Sequence, residues 1–128
     1  MPSADDKVRM AEFTIETGLE PSEIVDAGRR SMVAGKRAMT STIKEDRVAK
    51  NGAVYVVKGP GGIVEQMRFT VTWEELEGGR LMVLLSIGRY LSSRPSLLGF
   101  IPVGPASVPA LRSVQRFSES LRVELGRR

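Results

Sequence analysis

The 128 residues carry 19 Lys/Arg against 15 Asp/Glu, with 41% hydrophobic residues, no histidine and no cysteine. That balance suits one globular domain with a real core. The missing residue types exclude disulfides, thiolate and imidazole metal sites, and catalytic triads or dyads built on His or Cys.

The opening "MPSADDKVR" has no apolar run behind its charges and does not read as a secretory signal. Residues 1–9 are expected to be a disordered segment, with a single domain over 10–128. The longest apolar stretch, "LMVLLSIG" at 81–88, is far short of the roughly 20 residues a membrane-spanning helix needs. A cytoplasmic protein is the expectation.

"MAEFTIETG" alternates, with Phe13 and Ile15 on one side and Glu12, Thr14 and Glu16 on the other, which predicts a half-buried strand. "LEPSEIVDAGRRSMVAGKRA" follows. Pro21 suits a first helical turn, Glu23 and Asp26 lie near the positive end, and Lys36 and Arg37 lie near the negative end. Ile24, Val25, Gly28 and Met32 share one face, predicting an amphipathic helix of about four turns.

From residue 40 the period changes to two. "STIKEDRVAK" is a polar strand, "NG" at 51 and 52 predicts a type I′ hairpin turn, and "AVYVVK" is the returning strand. "GPGG" at 59–62 makes the next turn. "IVEQMRFTVTWEE" then places Ile63, Met67, Phe69, Val71 and Trp73 on one face, interrupted by Glu65. After "EGG" at 77–79, "RLMVLLSIGRYL" is apolar on both faces over 81–85, as for a central strand covered on both sides. At the C-terminus Ser107 is a candidate N-cap and Pro109 falls in the first turn. Val108, Leu111, Val114, Phe117, Leu121 and Leu125 then recur at helical spacing up to Gly126.

These elements predict a two-layer α+β domain: a curved antiparallel sheet of five to six strands packed on two helices, in the order β-α-β4/5-α, with a long C-terminal helix. The order resembles the helix-grip and TBP-like group, whose larger members include the START-like and pollen-allergen-like ligand-binding domains. The resemblance covers residues 11–126 in order of elements, not in any sequence motif. Two departures, the short chain and a first crossover of one helix where those proteins have two short ones, act to shrink or close the cavity. The resemblance implies a cleft between the sheet and the C-terminal helix.

Several segments invite a chemical reading. "KGPGG" at 58–62 lies between strands rather than between strand and helix, so it reads as a turn and not a phosphate loop. Glu74, Glu75 and Glu77 sit at a strand end, where adjacent residues point to opposite faces, so only Glu75 and Glu77 converge and no metal is expected. No Ser-Lys spacing stands out, and no cofactor or catalytic residue is assigned. Glu65, on an apolar face, is read in three ways: a pocket anchor facing Arg89 or Arg94, a strand end reaching water, or a residue flipped outward by a bulge.

"RPSLLGFIPVGPASVP" at 94–109 holds four of the seven prolines with five large apolar residues. Its prolines leave at most 97–101 free to form a strand, preferably at an edge. It reads as a stiff, packed connection, with three roles open: pocket wall, core plug or dimer contact. The leading expectation is a non-enzymatic module binding a small apolar or lipidic ligand. Met67, Phe69, Val71, Trp73, Phe100, Ile101, Phe117 and Leu121 would provide the burial, and Tyr90 or Arg94 a polar handle. The alternative is an interaction protein with a solid core that forms a homodimer. A third reading, weak nucleic-acid binding through arginines 112, 116, 122, 127 and 128, lacks aromatics for stacking and is the least favoured.

Overall fold

Alternation and glycine turns lay down the sheet, and two amphipathic helices cover one face of it. The computed structural model describes residues 4–35, 41–91, 96–97, 101–102 and 108–127. In chain order the elements are α1 (Ala4–Arg9), β1 (Phe13–Thr17), α2 (Pro21–Gly35), β2 (Thr42–Ala49), β3 (Gly52–Lys58), β4 (Glu65–Glu75) and β5 (Leu81–Tyr90). Two short strands, β6 (Ser96–Leu97) and β7 (Ile101–Pro102), precede α3 (Leu111–Gly126). The main sheet has the antiparallel order β1-β5-β4-β3-β2. This is the two-layer α+β architecture with a long C-terminal helix.

The inner face is built by register. Tyr55 lies opposite Phe69, Val71 opposite Leu85, and Trp73 opposite Val83, which in turn faces Ile15. Onto this face α3 lays Val114, Phe117, Leu121 and Leu125, and α2 lays Ile24 and Ala27, all buried in one cluster. The rings of Tyr55, Phe69 and Phe117 meet at centroid distances of 5.3, 5.0 and 4.9 Å, the centre of the core. Burying a side chain such as Phe117 contributes about 1.5–3 kcal/mol. Glycines let α2 approach closely. A methyl group at Gly28 would overlap the Tyr55 hydroxyl, and one at Gly35 would lie 2.8 Å from the Ser113 carbonyl oxygen. The two helices are further joined by the Ser31–Ser120 hydrogen bond of 3.0 Å.

The structure differs from the sequence expectation at five places. The N-terminal segment forms α1, with Val8 fully buried and the following turn held by Ser118 Oγ donating to the Ala11 carbonyl at 2.7 Å. A single apolar residue gives no periodicity to read, so tertiary contacts order this segment. The hairpin between β2 and β3 turns at Lys50 and Asn51, since Ala49 pairs with Gly52. Gly52 serves close approach instead: a methyl group there would lie 3.0 Å from the Val71 carbonyl oxygen of β4.

The third difference concerns β4, which begins at Glu65 and leaves Ile63 exposed. A register shift places Glu65 opposite Lys58 while Met67 stays opposite Val57. That bulge turns Glu65 to the outer face. Fourth, β5 is interior in the sheet but covered on one side only, since its outward Leu84 is 41% exposed. Finally, β6 and β7 pair with each other and not with an edge of the main sheet. Leu97 pairs with Ile101 in a separate two-stranded ladder off the main sheet.

Candidate functional site

The sequence-derived site residues separate into different surroundings. Met67, Phe69, Val71, Phe117 and Leu121 are buried side by side in the core cluster, where they pack against one another and the Tyr55 ring. Burial pushes the Tyr55 hydroxyl up to about 12. Tyr90 is half-buried, and its hydroxyl donates to Asp5 Oδ1 of α1 at 2.5 Å, which raises its pKa. That bond engages the hydroxyl suggested as a polar handle. Arg94 and Phe100 lie outside the described residues, and Ile101 falls in β7.

Glu65 forms an outward-facing ion cluster. Arg68 donates to Glu65 Oε1 at 2.9 Å and to Asp46 Oδ2 at 2.8 Å, and Arg89 lies 3.5 Å from Glu65 Oε2. The Arg68 guanidinium holds both carboxyls below their usual range. Of the alternatives left open by the sequence, the bulge after "GPGG" occurs, and it turns Glu65 outward to meet Arg68 and Arg89. A shallow cleft of about 310 Å³ borders this cluster and Tyr90.

A cleft of about 800 Å³ opens at the opposite end of the sheet. Three chain segments distant in sequence meet there. Leu19, Glu20, Pro21 and Ser22 lead into α2. Lys50 and Asn51 form the β2–β3 turn, and Trp73, Glu74, Glu75 and Leu81 come from β4 and β5. The Trp73 backbone N–H donates to the Asn51 carbonyl at 2.9 Å, which fixes the turn against β4. Leu19, Trp73 and Leu81 are the buried part of the lining, and the remaining side chains rim it and are exposed. The volume lies within the roughly 300–1,000 Å³ typical of small-molecule sites, and an apolar floor with a polar rim is their usual composition.

Trp73 is the single tryptophan of the chain and is 6% exposed. Its indole Nε1–H is buried without a hydrogen-bond partner among the described residues. Leaving such a donor unpaired costs about 1–3 kcal/mol. Ahead of α2, the Glu20 N–H donates to Glu23 Oε1 at 3.0 Å and the Leu19 N–H to Thr17 Oγ1 at 3.2 Å, and Pro21 has no N–H. Among the described residues no group of three acidic side chains is placed to hold a metal ion.

The sequence marks Trp73, Glu74 and Glu75, but its alternation groups Trp73 with the core residues under α3. The signal that could have separated them is positional. Trp73 is the last large apolar residue of its strand, next to two carboxylates, so it must sit at an end of the sheet.

The C-terminal arginines are engaged in different ways. Arg30 and Arg127 flank Glu124, with Arg30 Nη2 at 2.6 Å holding that carboxyl below its usual range. The Arg122 guanidinium stacks 5.0 Å from the Phe13 ring centroid. Among the described residues, no helix is long and apolar enough to cross a membrane. No family model, curated protein or solved structure matches this chain.

Proposed function

We propose that this chain is a non-catalytic binding module whose ligand site is the cleft at Trp73. The observation that carries the reading is a cleft of about 800 Å³ with Leu19, Trp73 and Leu81 buried in its lining and polar side chains at its rim. The floor residues stand on or beside paired strands, so the site is preformed. The sequence contains no histidine and no cysteine to supply the usual base or nucleophile. The helix-grip arrangement that the element order resembles would place a ligand between sheet and C-terminal helix. There, Phe69, Val71, Phe117 and Leu121 pack against one another, which favours the open end instead.

The single tryptophan makes the test direct. A small-molecule library is screened by NMR while following the one indole N–H resonance together with the backbone amides. Binders are expected to move the indole signal and the amides of Leu19, Asn51 and Leu81, and to leave Val114 and Leu121 in place. If every binder moves the Val114 and Leu121 amides instead, or none moves Trp73, the reading is wrong.

A further inference from the structure

We infer that the uncovered outer face of the sheet binds a second copy of this chain, forming a two-fold symmetric dimer. This face lies on the side of the sheet away from Trp73 and Leu81. Both α2 and α3 pack on the inner side, and register aligns the outer side chains in rows across the strands. Thr14, Leu84 and Thr72 form one row, and Ser86, Thr70 and Val54 form the next. The first row is exposed and the second half-buried. Neither row carries a charge, in a chain with 27% charged residues. A charge-free centre inside a charged rim is the composition of a protein–protein interface.

The two ends of the face carry opposite charge. Below the central rows lies the row Glu16, Met82 and Glu74, and above them the row Arg68, Val56 and Lys44. At the first end Glu16, Glu74, Glu75 and Glu77 stand with Lys50 and Arg80, a net negative group. At the second, Lys44, Arg47, Lys58, Arg68 and Arg89 stand with Asp46 and Glu65, a net positive group. That polarity selects one symmetry. A two-fold axis lying in the face and running across the strands brings each acidic end onto the basic end of the other copy, with β4 over β4 and Glu74 over Arg68. An axis along the strands would set Glu74 over Glu74 and Arg68 over Arg68.

The area suffices for such a pairing. Five strands about 4.8 Å apart and four rows about 7 Å apart give each copy a footprint of roughly 600 Å². Two copies together bury about 1,200 Å², the lower limit for a specific interface, so a weak dimer is expected. A nucleic acid or an anionic membrane fits less well. The acidic end would repel either, and no aromatic side chain stands in these rows.

The experiment is sedimentation velocity of the intact chain from micromolar to millimolar concentration. The dimer fraction is expected to grow with concentration and to shrink at high salt. Leu84→Lys, at an outward position that the core does not use, should weaken association about tenfold or more by placing a charge in the dry centre. Glu74→Lys and Arg68→Glu should each weaken it roughly tenfold, since each homodimer then repeats a like-charge contact twice. An equimolar mixture of those two variants should restore association, because both contacts of the mixed dimer pair opposite charges. A monomer at every concentration overturns the proposal and leaves this face to a different chain. A dimer indifferent to Leu84→Lys lies on another surface, and a mixture that fails to associate rejects this symmetry. Either result also overturns the proposal.

Discussion

Gly28 sits where α2 crosses the Tyr55 ring, and its missing side chain is what allows the crossing. Gly28→Ala is expected to destabilise the fold by about 1–3 kcal/mol in urea unfolding, because overpacking forces the helix or the ring to shift. Tyr55→Phe in the same chain should recover part of that loss, since it removes the hydroxyl that the methyl group would overlap. An unchanged urea midpoint for Gly28→Ala would show that the helix can give way. Sequence reading placed Gly28 on the buried face of its helix but could not say why a glycine stood there, because the answer is a tyrosine 27 positions later. Gly52 is the opposite case. An Asn-Gly pair signals a turn strongly, yet the strand pairing moves the turn one residue earlier and uses the glycine to admit the β4 backbone.

At the scale of elements, side chains continue the sheet where β1 stops. The Ile87 N–H of β5 donates to Glu12 Oε2 at 2.7 Å, and Arg9 Nη1 donates to the Ile87 carbonyl at 2.8 Å. Glu12 and Arg9 are themselves paired at 3.0 Å, so the two side chains together stand in for one strand residue. Glu12→Ala should leave the Ile87 amide without its acceptor, at a cost of about 1–2 kcal/mol. Hydrogen exchange would then rise at Ile87 and stay slow at Val83, which lies opposite Ile15 in the middle of the β1–β5 ladder. Equal protection of Ile87 in both proteins would refute this role. Strong periodicity made α3, α2 and β4 legible in the sequence. α1 was not, because its fold depends on one buried valine and a few polar contacts.

For the whole molecule, the charge inventory predicts the shape of stability against pH. Arginines hold Asp46, Glu65 and Glu124 below their usual range. A carboxyl with a depressed folded pKa adds stability above its unfolded value, and that contribution is lost as pH falls through the folded value. The urea midpoint should therefore fall below about pH 4.5. Tyr55, pushed up to about 12, works in the other direction. Its contribution is intact below about pH 10 and is lost as pH rises toward the folded value. With no histidine in the chain, the midpoint should stay nearly flat between these limits. A titration step near neutrality would contradict this account. The candidate site was less legible than the fold, because Leu19, Asn51 and Trp73 are brought together by the sheet ends and share no local pattern.

The displaced hairpin turn bears on how the protein ages. Asparagine followed by glycine cyclises readily and then opens to aspartate or isoaspartate, a reaction that needs the glycine nitrogen to swing onto the side-chain amide. Gly52 is held in β3 between Ala49 and Thr72, so that swing is restrained while the hairpin stays closed. Stored folded protein should keep Asn51 intact, whereas denatured chain should gain one mass unit at that residue. Conversion would put a negative charge on the rim of the Trp73 cleft, which makes the chemical age of a preparation a variable in any binding measurement.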